Sequence, residues 1–146
     1  KRLIDSHTEH KLQMQKLYSD PLVCVMSQNH PLSSEKHLTV AQLNTTPQTT
    51  YSYDKESIFT QENRNSLCIS TNAKIHQQFI LEENMVCRMP YQAYMTQFND
   101  KRITFRPIID GLPVENYLYY RKSAFEENEI LYTRFIETAK MLANEL

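Results

Sequence analysis

Hydrogen-bonding side chains gather at two points of the sequence where strand-like runs end. Ser70-Thr71-Asn72 closes the apolar run Ser66–Ser70, and Tyr51-Ser52-Tyr53 closes the Thr- and Tyr-rich run that begins at Gln48. Hydroxyls and an amide at such a junction could donate to a carboxylate or another polar oxygen on a small ligand, because helix N-termini also present unpaired N–H groups there. The ordinary alternative for Thr71 or Asn72 is helix capping, and for the tyrosines a half-exposed strand.

Other chemistry is harder to assemble. Cys24, Cys68 and Cys87 are far apart, lie beside apolar neighbours and form no CxxC pair, which fits buried reduced thiols better than a redox or zinc site. A nucleophilic role for Cys68 or Cys87 is the catalytic alternative. His30 precedes Pro31 without a ligand partner at metal spacing and reads as a turn residue, while His7 and His10 beside Glu9 fall in a polar terminus. Glu82-Glu83 and Glu126, Glu127 and Glu129 read as solvated helix surface rather than paired catalytic carboxylates. A single glycine, Gly111, argues against phosphate-cradling loops, which need backbone free of Cβ. No catalytic residue, metal site or cofactor is assigned.

Composition narrows the class. The 146 residues carry 16 Lys plus Arg against 17 Asp plus Glu, a net charge of -1, with the basic residues scattered. Nothing resembles the basic footprint of a nucleic-acid surface, so any DNA contact must come from another domain. No apolar run approaches the roughly 18 residues that span a bilayer. A cytoplasmic, membrane-free protein is expected, and Lys1-Arg2-Leu3, which lacks an initiator Met, reads as the cut end of a longer chain.

The elements that would position these groups centre on Leu22–Met26, a β-branched apolar run between Pro21 and His30-Pro31 that predicts a buried strand. Leu12–Tyr18 alternates as an extended lead-in. Thr39 caps a short helix to Leu43, and Asp54 a polar helix from Lys55 to about Asn65. A helix from Thr71 or Asn72 to Glu83 places Ile75, Phe79 and Ile80 on one face, with His76, Gln77 and Glu83 toward solvent. Strands follow at Met85–Met89, Ile103–Pro107 and Glu115–Lys122. Tyr117–Tyr120 in the last of these suits a strand buried on both faces. Leu131, Phe135, Ala139, Leu142 and Leu146 then share one face of a final helix. Alternating strands and helices from Pro47 to Pro90 predict α/β with largely parallel strands.

Three stretches together resemble a known family: Leu22–Val25 running through His30-Pro31-Leu32 to Leu38–Leu43, then Ile80–Pro90, then Leu118–Lys122 followed by Phe135-Ile136. In this order they are similar to the C-terminal effector-binding domain of LysR-type bacterial transcription regulators. The resemblance implies a type 2 periplasmic-binding-protein-like fold: a lobe with a mainly parallel mixed sheet flanked by helices, plus a C-terminal strand and helix from the other lobe. On that plan residues 21–107 form one complete lobe, 1–20 a lead-in and crossover segment, and 108–146 the returning strand and final helix. It further implies a small-molecule effector in an interlobe cleft, for which Ser70, Thr71, Asn72, Tyr51 and Ser52, at their strand ends, are the candidate contacts. DNA would be bound only through a helix-turn-helix domain absent from this chain, in a full-length homodimer or homotetramer. The same architecture would serve a solute-binding protein. One departure stands out: where the family usually has Gly-x-Gly-Ile, this chain has Glu83-Asn84-Met85-Val86, so Asn84 is expected to supply a left-handed turn.

Overall fold

The computed structural model describes residues 12–51 and 66–144. The described strands are β1 (Leu12–Asp20), β2 (Leu22–Ser27), β3 (Gln48–Tyr51), β4 (Ser66–Ser70), β5 (Val86–Pro90), β6 (Ile103–Pro107) and β7 (Val114–Arg121). The helices are α1 (Val40–Leu43), α2 (Ala73–Glu82), α3 (Tyr91–Gln97), α4 (Lys122–Glu127) and α5 (Glu129–Asn144), with a 3-10 turn at Pro31–Ser34. Two compact units result: Asp20–Val114, and a second made of the segments up to Ser19 and from Glu115 onward.

In the first unit, five strands are ordered β4-β3-β5-β2-β6. The parallel part is β4-β3-β5, where strand and helix alternate in sequence, and β2 runs antiparallel to both β5 and β6. The sheet is therefore mixed α/β. Val23, Cys24, Val25 and Met26 are all buried, so β2 is the interior strand that its β-branched run predicts. Alternation sends its side chains to two clusters. On one face Val23 and Val25 pack with Cys87, Met89, Ile80, Phe98 and Ile103; on the other Cys24 and Met26 pack with Leu38, Leu43, Val86 and Ile108. Each fully buried aliphatic side chain of this size contributes about 1.5–3 kcal/mol of burial. Tyr94 extends the first cluster, with ring centroids 4.9 Å from Phe105 and 6.1 Å from Phe98.

Local signals fix the connections. His30 is a turn residue: its Nδ1 accepts from the Leu32 amide at 3.1 Å and caps the 3-10 turn. Thr39 and Gln42 form a reciprocal capping box on α1, with the Gln42 amide donating to the Thr39 hydroxyl and the Thr39 amide to Gln42 Oε1. Asn84, between α2 and β5, has φ 52° and supplies the left-handed residue expected of it.

α2 is rotated from its expected setting. His76 is fully buried and Ile75 is 39% exposed, because Ala73, His76 and Ile80, rather than Ile75 and Phe79, form the stripe that meets the sheet. Gln77 is half-buried and donates to Asp100 Oδ2 at 3.3 Å.

In the second unit, β1 and β7 form a two-stranded sheet. Glu115 accepts from the Ser19 hydroxyl at 2.9 Å and pairs with Lys16, contacts that hold its carboxyl below the usual range. β7 is not buried on both faces: Tyr117 and Tyr119 are exposed, while Asn116, Leu118 and Tyr120 form the half-buried side, the period-two pattern of a one-sided strand. Tyr120 packs on Phe125 and Tyr132 with ring centroids at 5.2 and 5.8 Å. Glu126 and Glu127 belong to α4, and α5 starts only at Glu129. The expected helix at Lys55–Asn65, and His7, Glu9 and His10, lie outside the described residues.

Candidate functional site

The carboxyl ends of β3 and β4 lie side by side, since Tyr51 pairs with Ser70 in parallel register. From there the chain turns through Thr71 and Asn72 into α2. Asn72 is the N-cap: its Oδ1 accepts from the Lys74 amide at 3.0 Å, and its carbonyl accepts from the Ile75 and His76 amides. The Ser70 hydroxyl oxygen in turn accepts from the Asn72 amide at 2.9 Å. Asn72 is thus the capping residue that its type predicts, and Thr71 is not.

Capping does not use up the donors. Asn72 spends only its Oδ1 and keeps the Nδ2 hydrogens, and Ser70 keeps its hydroxyl hydrogen. Thr71 and Asn72 are exposed, and Ser70 is half-buried. Three donors therefore stand within three consecutive residues, at the N-terminal end of a ten-residue helix whose dipole favours negative charge. Such a turn can hydrogen-bond an anionic or carbonyl oxygen. The structure joins Tyr51 to this group through the backbone ladder, while Ser52 lies outside the described residues.

His76 is the residue that the sequence did not offer. Its Nδ1 lies 2.9 Å from Thr49 Oγ1 and its Nε2 lies 2.9 Å from the Ser70 carbonyl oxygen, so the ring links α2 to β3 and to the last residue of β4. Burial pushes its pKa below the ordinary imidazole value, with the Ser70 carbonyl opposing. The available signal was the spacing Ala73, His76, Ile80, one turn apart along a single stripe.

Two of the three cysteines are poor nucleophiles. Cys24 and Cys87 are fully buried and leave opposite faces of the sheet, Cys24 opposite Arg88 and Cys87 opposite Val25. Burial pushes the Cys24 thiol far up, Cys87 adds to this, and Arg88 opposes it. Cys68 is half-buried and unbridged. Among the described residues no group of His, Cys, Asp and Glu could hold a metal ion, and no helix is long and apolar enough to cross a membrane.

A mixed α/β sheet flanked by helices, with a donor-bearing turn at the carboxyl ends of its parallel strands, has the architecture of the periplasmic-binding-protein-like lobes. More specifically, the chain belongs to the LysR substrate binding domain family, whose model matches residues 3–140. It is 33% identical over 107 residues to the Hca operon transcriptional activator HcaR of Escherichia coli K12, an alignment covering 66% of this chain and 36% of that protein. The chain thus spans little more than a third of that curated relative. The regulatory domain of MetR, a LysR family regulator from N. meningitidis, has the same fold: TM-score 0.65 at 14% identity, covering 94% of this chain and 68% of that one. OxyR from Corynebacterium glutamicum superposes with TM-score 0.72 at 13% identity, over 92% of this chain and 44% of that one.

Proposed function

We propose that this chain is the ligand-sensing part of a LysR-type transcriptional regulator that takes a small effector at the carboxyl ends of β3 and β4. Ser70, Thr71 and Asn72 supply the hydrogen bonds, and Tyr51 and Ser52 are the further contacts proposed. The family match over residues 3–140, which leaves no part of the described sheet outside it, carries the reading. The donors left over at the Ser70-Thr71-Asn72 turn support the place of binding.

On this reading residues 21–107 make one complete lobe, 1–20 the crossover, and 108–146 the returning strand and helix, a division supported by the compact unit Asp20–Val114. DNA is bound through a separate helix-turn-helix domain, in a cytoplasmic homodimer or homotetramer, and the chain is not an enzyme. An effector acts only by binding one arrangement of the regulator more tightly than another, so its differential affinity sets the response.

The test is operator binding by the full-length regulator, measured across a panel of small carboxylates and their amides. A ligand should change operator affinity or footprint, and Thr71→Val combined with Asn72→Ala should weaken that response about tenfold, the equivalent of one or two hydrogen bonds at about 1 kcal/mol each. Operator binding indifferent to every ligand would overturn the sensing role. A response unchanged in the double variant would overturn the site.

A further inference from the structure

We propose that His76 is a positioning residue for the effector contacts: its neutral imidazole, donating from Nε2 to the Ser70 carbonyl and accepting at Nδ1 from the Thr49 hydroxyl, sets the Ser70-Thr71-Asn72 turn. The inference rests on the proposed reading of that turn as the effector site.

The tautomer follows from the partners. A carbonyl oxygen can only accept, so the nitrogen 2.9 Å from Ser70 O must carry the hydrogen. In a neutral ring the other nitrogen is then bare, so the Thr49 hydroxyl, 2.9 Å away, donates to it. Both His76 and Thr49 are fully buried, which makes each of these bonds costly to leave unmade. Ser70 is thereby held twice, through its carbonyl by His76 and through its hydroxyl oxygen by the Asn72 amide. The three donors offered to a ligand are presented by a turn anchored at Ser70 from inside the protein.

The surroundings favour the neutral form. Thr49 stands level with Cys68 of β4 and Cys87 of β5, so the titratable side chains sharing its side of the sheet are thiols. Arg88 of β5, level with Thr50, points to the opposite side together with Cys24. On α2 itself Lys74 and Glu82 are exposed, as is Glu83 after it, and Asp100 reaches Gln77 rather than the ring. Full burial of the ring disfavours an imidazolium. Protonation would also place a hydrogen on Nδ1, obliging Thr49 to turn its own hydroxyl hydrogen away inside a buried strand. Acid therefore breaks the Thr49 bond that orients the ring while Nε2 still donates to Ser70, and the turn should change in step with the ring.

Nuclear magnetic resonance on the full chain tests this without any effector. Long-range proton–nitrogen correlations of the His76 ring should show the Nε2–H tautomer near neutral pH. As the pH falls from about 7.5 to about 5, the amides of Thr71, Asn72, Ala73 and Lys74 should shift with the midpoint of the His76 ring. His76→Gln keeps a donor and an acceptor but cannot titrate, so it should restore the neutral turn and flatten its pH response. Thr49→Val, which removes only the hydroxyl, should shift the same four amides at every pH. An Nδ1–H tautomer, turn amides that ignore the ring's titration, or a Thr49→Val turn identical to the parent would each overturn the proposal. Coupled turn and ring shifts beside an operator response blind to Thr71 and Asn72 would instead overturn only the effector site.

Discussion

Asn84 is the one described non-glycine residue with positive φ, 52°, and it sits where α2 ends and β5 begins. The Glu83 and Met85 amides both return to the Phe79 carbonyl on either side of it, at 3.1 and 3.3 Å, so the turn is tied to the helix it terminates. Asparagine tolerates this conformation because its short polar side chain can bond locally, whereas a residue with a plain Cβ pays about 1–2 kcal/mol. Asn84→Ala should therefore lower the unfolding free energy by about 1 kcal/mol, while Asn84→Gly should leave it unchanged or slightly raised. Urea unfolding of the three proteins checks this, and an alanine variant as stable as the parent would show that the turn relaxes. The left-handed turn at Asn84 was legible because asparagine is among the few residues other than glycine that adopt it readily. His76 was not, since histidine on an amphipathic helix suits either face and only the strand opposite, with Thr49, decides which face it takes.

At the scale of elements, Asp20 illustrates how a strand end positions a helix. It is 4% exposed, and its carboxylate accepts from the Gln92 amide at 3.2 Å, in the first turn of α3, while the Tyr91 amide bonds to the Pro21 carbonyl at 2.9 Å. Pro90 as N-cap has no side-chain hydrogen bond to offer α3, so Asp20 caps it from a distant part of the chain. Burial raises the Asp20 pKa, and the Gln92 and Tyr91 amides oppose that shift. The sign follows: with its folded pKa above the unfolded one, Asp20 contributes most when protonated, and the contribution is lost as pH rises through the raised value. Asp20→Asn keeps the acceptor without the buried charge, so it should be more stable than the parent at neutral pH, with the advantage shrinking as pH falls below the raised pKa toward about 3.8. Asp20→Ala leaves an amide without its acceptor and should cost about 1 kcal/mol. Thermal unfolding at neutral and acid pH separates them, and an Asn variant whose advantage grew on acidification would contradict the assignment. Local sequence signals found β2, β4, β6 and the Thr39 cap, because each is specified within a few residues. They missed the Asp20 cap and the one-sided burial of β7, because both depend on chain segments far away in sequence.

For the whole molecule, burial is unequal between the two units. Every described buried residue lies between Asp20 and Ile108, inside the first unit. The second unit rests on a two-stranded sheet and carries Ile130, Leu131, Phe135, Met141 and Leu142 all more than half exposed on α5. The helical spacing of Leu131, Phe135 and Leu142 was correctly read as one face, but spacing cannot say whether a face is covered. A two-stranded sheet is marginal in water without a packed face, and local opening free energy tracks buried apolar contact. Native-state hydrogen exchange on this 146-residue chain should therefore rank the amides of β2 and β5 as the slowest, opening only with global unfolding. The amides of β1, β7 and α5 should exchange through an opening at least about tenfold more populated, a gap of about 1.4 kcal/mol. Low denaturant should leave the β7 and α5 rates nearly unchanged while accelerating those of β2 and β5, because local opening exposes less surface than global unfolding. Equal protection in the two units would mean that they unfold as one, and that the exposed face of α5 costs the chain no stability.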